Sequence, residues 1–368
     1  MIVLVGGGGI PNYGDELIID NWLRWYQEGE SVVSGSIHVE GYNSQVLSNT
    51  FARRFPDASW GHAIRDARLR FRKASFWRAL DAGWKVDEST DPVVRSAKEL
   101  IDSASVVHVH GGGYLNDMWP SHAFVLGLAA SAARARGAQA VATGIGMRPL
   151  ADPEGHDRAV LNEVVSTFSL VEVRDRWSYD FLIRNLEAAL HSKVIMGLDD
   201  AFLRPVAVEE RNTRTLHLAV LLDDVGEVMI DRLSPSFVDS FDHHRFWVCK
   251  PADASAYVKL SERYKFFELC GPSQLIQNPH IAPQDVLITE RFHPHLQAAR
   301  AGASGVYSAV SDYYETKHGS LVTLGSPFEE YSGEEFREES FVREDSLMHQ
   351  NDAAYVARKR SIARSIAI

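Results

Sequence analysis

Cysteine is scarce in this sequence. Cys249 and Cys270 are the only two among 368 residues, too few for a disulfide framework or a thiolate metal site, and they fit a reducing compartment. No His and Cys spacing typical of zinc occurs, and no aspartate cluster suggests a cation site. We therefore expect no obligatory metal or cofactor.

Excess positive charge and long apolar runs are also missing. The formal net charge of -11 argues against nucleic acid as a partner, because binding to it depends on neutralising phosphates. Any anionic ligand should therefore be small and locally recognised. No segment reaches the ~20 apolar residues that span a bilayer, and the chain does not start with a signal-peptide pattern. We expect a cytoplasmic protein with at most peripheral contact at the inner face of the membrane.

Short apolar runs alternate with helical patterns along the whole chain. The runs that read as strands are 2–5, 105–110, 138–142, 168–173, 216–222, 246–249, 265–267, 286–288 and 305–307. This alternation predicts an α/β protein with doubly wound parallel sheets. A charged stretch that contains Glu209, Glu210 and Arg211 interrupts the pattern and indicates a domain boundary. We predict two Rossmann-like domains facing a cleft, 1–208 and 209–345, with a terminal helix, 346–368, that crosses back to the first domain.

Two glycine-rich loops follow predicted strands of the first domain. Glycines let backbone approach a ligand closely, as in dinucleotide-binding loops. However, Asp15 and Glu16 fall in the first turn of the helix after the first loop, where they repel phosphate, so sugar hydroxyls are the expected ligand. The alternative is a tight turn whose acids only cap the helix. The acceptor-contact candidates in the two loops are Gly8, Asn12, Tyr13, Asp15, His110, Gly112, Gly113 and Tyr114.

A basic and aromatic stretch spans 60–84. Arginines alternate there with Phe71, Phe76 and Trp77, which would suit a surface that meets anionic lipid head groups or a lipid-linked pyrophosphate. The commoner origin of such a run is a solvated helix face.

Arginines follow two of the predicted strands. Arg174 comes directly after one, where Asp175 can cap the next helix. Arg291 follows another, where Pro294 suits the first helical position and His293 becomes the expected N-cap. Helix N-termini attract anions, and a guanidinium adds a fork for phosphate or carboxylate. The alternatives are a surface arginine with a capping histidine, and an Arg174 that pairs with a nearby acid.

These motifs, together with Glu315-Thr316-Lys317, make the chain similar to the polysaccharide pyruvyl transferase family from its first residue to about residue 325. The resemblance implies a GT-B-like fold that attaches the pyruvate of phosphoenolpyruvate to two sugar hydroxyls as a cyclic ketal and releases phosphate. The family's substrate-binding arginines and histidine correspond to Arg174, Arg291 and His293. We add Phe292 and Lys317 as further candidates for phosphoenolpyruvate binding and assign catalysis to His293. Phe292 departs from the leucine that the family usually has.

The proposed chemistry needs two cations and a proton carrier. Phosphoenolpyruvate has a carboxylate and a phosphate, which Arg174 and Arg291 could hold. An imidazole such as that of His293 can move a proton, and a general acid or base typically contributes ~100- to 10,000-fold. The acceptor could be a free, nucleotide-linked or lipid-linked saccharide. Two alternatives remain: a GT-B glycosyltransferase that uses a nucleotide sugar, and a non-catalytic glycan-binding relative.

Overall fold

A computed structural model describes residues 1–27, 35–341 and 346–366. They form an α/β protein with two parallel sheets, which confirms the expected fold class. The chain divides into two compact units. Unit 1 comprises Met1–Ile10, Ile18–Leu203 and Ala357–Ile368, and unit 2 comprises Pro11–Leu17 and Arg204–Val356.

Unit 1 is built on a seven-stranded parallel sheet. Its strands are β1 (Ile2–Val5), β2 (Ile37–Glu40), β3 (Ala58–Gly61), β4 (Val106–Val109), β5 (Gln139–Ile145), β6 (Phe168–Val173) and β7 (Val194–Met196). Its helices are α1 (Tyr13–Gln27), whose first turn belongs to unit 2, α2 (Ser44–Phe51), α3 (Ala63–Leu69), α4 (Phe76–Trp84), α5 (Pro92–Asp102), α6 (Ala123–Arg136), α7 (Gly155–Thr167) and α8 (Arg176–Asn185). The strand order is β3-β2-β1-β4-β5-β6-β7.

The core of unit 1 explains why its central strands are continuous apolar runs. Successive side chains of a strand point to opposite faces, and helices cover both faces of a parallel sheet. In β1, Val3 and Val5 join one apolar cluster, whereas Ile2 and Leu4 join the other.

Unit 2 repeats this plan with six parallel strands. They are β8 (Thr215–Ala219), β9 (His243–Trp247), β10 (Glu268–Cys270), β11 (Val286–Thr289), β12 (Ser304–Tyr307) and β13 (Glu329–Glu330). The helices are α9 (Asp224–Asp231), α10 (Pro235–Val238), α11 (Ala254–Arg263), α12 (Pro272–Gln277), α13 (Phe292–Ala301), α14 (Asp312–Thr323), α15 (Leu347–Gln350) and α16 (Asp352–Arg364), whose later residues belong to unit 1. The strand order is β10-β9-β8-β11-β12-β13.

The two strand orders locate the ligand-binding edge of each sheet. In unit 1 the order reverses between β1 and β4, and in unit 2 it reverses between β8 and β11. Ligands of doubly wound sheets bind outside the carboxyl ends of the strands at this reversal. The relevant loops therefore follow Val5 and Val109 in unit 1, and Ala219 and Thr289 in unit 2.

Some sequence expectations differ from the structure. The strand expected at 265–267 lies three residues later, at β10, because Phe267 is buried in the core of unit 2. The expected boundary was 208/209, whereas the units divide between Leu203 and Arg204. The charged stretch is packed into unit 2, where Arg211 pairs with Asp285. The other expected boundary, 345/346, adjoins residues 342–345, which lie outside the described residues, as do 367–368 at the chain end.

The aromatic side chains of the basic and aromatic stretch pack inward. Phe76 and Trp77 are 0% and 7% exposed and belong to the core of unit 1, against which Phe71 also packs. The aromatic side chains alternate with arginines because one face of each helix is buried. In addition, no helix within the described ranges is long and apolar enough to cross a membrane.

Candidate functional site

The turn after β11 begins a helix two residues earlier than the sequence predicted. Arg291, in an extended conformation, is the N-cap of α13, and its carbonyl accepts the first helical bond, from the His295 N–H at 3.2 Å. The expectation that His293 is the N-cap is therefore wrong. Pro294 occupies the third helical position, which is permitted because the first four N–H groups of a helix have no intrahelical partner.

Arg291 is buried at the reversal point of the unit 2 sheet and pairs with Asp253. The Asp253 carboxylate also accepts hydrogen bonds from the backbone N–H groups of Cys249 and Lys250, both at 3.0 Å. Burial acts to lower the pKa of Arg291, but Asp253 more than offsets this effect. The Arg291 Nε is buried and has no hydrogen-bond partner within the described residues. The guanidinium is therefore held in place and still has a donor to offer.

His293 packs against the first turn of α1, within unit 2. A Cβ atom built on Gly14 would lie 1.8 Å from His293 Nδ1, so only glycine leaves room for the imidazole at this position. Tyr13 fixes the turn, since its N–H donates to the Cys249 carbonyl at 2.9 Å. Tyr13 itself is 1% exposed and packs edge-on against Trp247, which makes it a structural residue in the acceptor-candidate set.

Two acids follow Gly14 in the first turn of α1, as expected. Asp15 accepts a hydrogen bond from the Asn12 side chain. Glu16 is 2% exposed, and burial together with neighbouring Asp15 raises its pKa to about 7.

Glu290 is a site residue that the sequence analysis did not assign. It is 2% exposed and lies between the carboxyl ends of β8 and β11, where its Oε2 accepts from the Leu221 N–H at 2.7 Å. Its Oε1 is buried without a hydrogen-bond partner in the described ranges. Burial, with Asp223 nearby, raises the pKa of Glu290 to about 7. The available signal was a charged residue directly after a fully apolar strand.

Phe292 and His295 lie on the same turn as Arg291, and Lys317 lies on α14. Phe292 is buried, and its ring centroid lies 5.0 Å from that of His293. Lys317, on α14, places its Nζ 3.7 Å from the ring centroid of Tyr313. His295 is fully buried, with its Nδ1 2.8 Å from that of His318, and burial holds its pKa well below the usual value. His295 is therefore a neutral core residue.

Arg174 lies at the carboxyl end of β6 in unit 1. Its Nη1 donates to Asp199 Oδ2 at 2.6 Å, and both side chains are almost completely buried. The sequence analysis gave this pairing of Arg174 with a nearby acid as the alternative to ligand binding. Asp175 caps α8 as predicted, because its side chain accepts from the Ser178 N–H at 2.8 Å.

The glycine loops of unit 1 lie at the reversal point between β1 and β4. The Gly8 carbonyl accepts from the Tyr42 N–H at 2.8 Å. His110 is completely buried, and its ring fills the space that a side chain at Gly6 would need. A Cβ at Gly112, whose φ is +153°, would lie 2.5 Å from the Tyr114 ring.

The buried Asp200 carboxylate binds the second glycine loop. Asp200 Oδ2 accepts from the Gly111 N–H at 2.7 Å and from Thr143 Oγ1 at 2.9 Å. Asp200 also pairs with Lys359 of α16, which pairs in turn with Glu172. The loop that contains Gly112 and Gly113 is thereby tied to the core of unit 1.

The candidate residues thus form one group in each unit. Unit 2 brings together Gly14, Arg291, Phe292 and His293, with Asn12, Tyr13, Asp15 and Lys317 in the same unit. Unit 1 contains Arg174 and the glycine loops with Gly8, His110, Gly112, Gly113 and Tyr114. Among the residues that the structure describes, no group of three His, Cys, Asp or Glu side chains is arranged to hold a metal ion.

A known protein family matches this chain. The model of the polysaccharide pyruvyl transferase family matches residues 12–233, more than half of the chain. This protein therefore belongs to the polysaccharide pyruvyl transferase family. The matched region includes Arg174 and ends before Arg291 and His293. No match was found among curated proteins.

Solved structures show the same fold. The UDP-GlcNAc 2-epimerase from Neisseria meningitidis, bound to UDP-GlcNAc, is 10% identical with a TM-score of 0.56, over 98% of this chain and 99% of that chain. The UDP-GlcNAc 2-epimerase from Methanocaldococcus jannaschii is 11% identical with a TM-score of 0.56, over 100% and 99%. At such low identity the likeness shows the fold alone, which is of the GT-B-like type.

Proposed function

We propose that this protein transfers pyruvate from phosphoenolpyruvate to two hydroxyls of a saccharide, forming a cyclic ketal and releasing phosphate. Membership of the polysaccharide pyruvyl transferase family supports the reaction class. The observation that carries the proposal is the turn after β11, where Arg291 and His293 flank the reversal point of a doubly wound sheet. Such a turn supplies a fixed cation and a titratable group at the edge where ligands bind.

The two arginines would hold the two anionic groups of the donor. A guanidinium offers five N–H donors in a fixed plane, so its bond to one carboxylate leaves other donors available. The Arg291 fork is engaged by Asp253 on one side, with Nε still available. Arg174 is held by Asp199. Phe292 and Lys317 would complete the donor contacts.

The reaction moves two protons. Each of the two sugar hydroxyls loses one as its oxygen bonds to C2 of phosphoenolpyruvate. One proton is gained by the methylene carbon, which becomes the methyl group, and the other by the departing phosphate. The reaction therefore requires two acid–base groups. His293 is the first, and Glu290, whose pKa of about 7 lets it both accept and give up a proton near neutral pH, is placed to be the second.

Two measurements test the proposal. Mass spectrometry of a candidate acceptor incubated with phosphoenolpyruvate should show a gain of one pyruvate less one water, together with phosphate release. Thermal unfolding should show stabilisation by phosphoenolpyruvate, because a ligand that binds only the folded state raises its apparent stability. Stabilisation by nucleotide sugars, with no response to phosphoenolpyruvate, would instead support the glycosyltransferase alternative.

A further inference from the structure

A buried arginine lies at the ligand-binding edge of unit 1, outside the residues assigned above. Arg68, in the last turn of α3, is 6% exposed. Its Nη1 donates to Ser121 Oγ at 2.9 Å, and its guanidinium lies 5.1 Å from the ring centroid of Tyr42. Tyr42 also contacts the first glycine loop through its bond to the Gly8 carbonyl.

No carboxylate of the described residues pairs with Arg68. The ionisable groups that influence it are Tyr42, Arg65 and Tyr114, and burial is the largest effect, which lowers its pKa. The neighbouring Arg65, by contrast, pairs with Asp66 at 2.8 Å. Buried charges in proteins are usually paired because desolvation is costly. Arg68 is therefore a buried cation whose charge the described protein does not offset.

His122, which lies next to Arg68, is neutral. Burial and the neighbouring Arg68 lower the pKa of His122 to about 3. The Nδ1 of the neutral ring lies 3.0 Å from the Trp119 carbonyl oxygen and 3.3 Å from Arg68 Nη1. Its Nε2 lies 2.6 Å from the Tyr42 hydroxyl. His122 thus fixes the Tyr42 hydroxyl without neutralising Arg68.

The surroundings suit a saccharide that carries an anionic group. Trp119 lies two residues before Ser121 and is 39% exposed. Such flat rings offer a large apolar face beside a polar group. The Tyr42 N–H donates to the carbonyl of Gly8 in the first glycine loop, at the reversal point of the sheet.

We propose that Arg68, with Ser121 and Tyr42, forms an anion subsite that binds a phosphate or carboxylate group carried by the saccharide acceptor. The proposal rests on the proposed function for the identity of the carrier. A phosphate would come from a nucleotide- or lipid-linked sugar, and a carboxylate from a uronic acid. Both fit a guanidinium in the same bidentate manner.

Binding measurements on the full chain separate these sources. The probes are glucose 1-phosphate, UDP-glucose, glucuronate and, as the neutral reference, methyl glucoside. Arg68→Met removes the charge and keeps most of the side-chain length, and Arg65→Met removes an equal charge from the same helix. At least one anionic probe should bind the wild type and Arg65→Met equally and Arg68→Met at least 10-fold more weakly, whereas methyl glucoside should bind all three alike.

A second readout needs no ligand. Because an unpaired buried charge costs stability, Arg68→Met should unfold at the same temperature as the wild type or higher. Arg68→Lys keeps a cation without the fork and should bind the anionic probe with an intermediate Kd. The proposal is overturned if Arg68→Met binds every anionic probe as the wild type does, if no anionic probe binds better than methyl glucoside, or if Arg68→Met loses stability severely.

These outcomes are independent of the donor. Phosphoenolpyruvate should raise the unfolding temperature of the wild type and Arg68→Met by the same amount. If it does so while no anionic sugar depends on Arg68, the subsite is wrong and the pyruvyl transfer proposal stands. If Arg68-dependent binding is found without any phosphoenolpyruvate response, the donor proposal fails instead.

Discussion

Arg174 and Asp199 form a buried ion pair of 2.6 Å at the carboxyl end of β6. Breaking a buried pair by removing one partner typically costs ~3–5 kcal/mol, because the other charge is left unpaired. We predict that Asp199→Asn lowers the unfolding temperature. Phosphoenolpyruvate should raise the unfolding temperature of this variant by more than that of the wild type, because its anion takes the place of the lost carboxylate. Asp180→Asn, in the exposed pair with Arg176, is the matched control. An unchanged phosphoenolpyruvate increment in Asp199→Asn would show that Arg174 does not contact the donor.

Arg291→Lys should behave as a severe substitution. A guanidinium grips two oxygens in a fixed plane, whereas an ammonium is a single point charge, and Asp253 already occupies part of the donor set. The apparent KM for phosphoenolpyruvate should rise at least ~10-fold, as expected when a charge-assisted bond of ~1.5 kcal/mol or more is lost. The measurement is steady-state phosphate release, with the exposed Arg263→Lys as control. If KM stays at the wild-type value, Arg291 serves only to hold Asp253.

Strands made of apolar residues could be predicted from the sequence, whereas strands whose polar side chains bond to distant residues could not. Strands such as β1 and β11 are fully buried apolar runs and were predictable. The strand β2 was not, since it contains His38 and Glu40. Glu40 is buried, and its carboxylate bonds to the His38 ring at 2.9 Å and to the Ile64 N–H at 2.8 Å. Those partners are visible only in the folded chain.

The same limit applied to the site. The positions of Arg174, Arg291 and His293 after strands could be predicted, but their acid partners could not. Asp199 is 25 residues from Arg174 and Asp253 is 38 residues from Arg291, and no local pattern links them. The start of α13 was predicted two residues late because Pro294 is tolerated throughout the first turn.

Gly14→Ala tests the fit between α1 and the imidazole. Alanine stabilises a helix by roughly 0.5–1 kcal/mol relative to glycine, so the substitution should stabilise α1 itself. The new Cβ, however, would lie 1.8 Å from His293 Nδ1, and the ring must rotate away. We predict near-native unfolding temperature with turnover reduced by up to ~100-fold, the typical cost of misplacing a reacting group by about 1 Å.

Gly319→Ala is the control for this substitution, because it lies in α14 with no atom near the added Cβ. The effect of Gly14→Ala should also vanish in a His293→Asn background. Full turnover in Gly14→Ala would mean that the position of His293 is not important for catalysis.

Glu290→Gln should change how stability depends on pH. The pKa of Glu290 is raised from its ordinary 4.5 to about 7, so the folded state favours the protonated carboxyl. Its contribution to stability is fully present below pH 4.5 and is lost as pH rises through about 7, at about 1.4 kcal/mol for each pKa unit. Glutamine stays neutral, so Glu290→Gln should lose less unfolding free energy than the wild type between pH 5 and pH 8. Denaturant unfolding at each pH measures this, with exposed Glu262→Gln as control, and parallel curves for wild type and Glu290→Gln would contradict it.

His293→Asn separates proton transfer from structure. His293 is the second residue of α13 and not its cap, so the variant keeps the Arg291 cap and the room provided by Gly14. Asparagine is polar and compact but cannot exchange a proton near pH 7. We therefore predict nearly native thermal stability and retained stabilisation by phosphoenolpyruvate, with turnover lowered at least ~100-fold, the lower end of what a positioned acid or base supplies. His243→Asn, at an exposed position of β9, should have no effect. If His293→Asn keeps most of its turnover, the proton must be carried by Glu290, and turnover should then collapse only when Glu290→Gln is added.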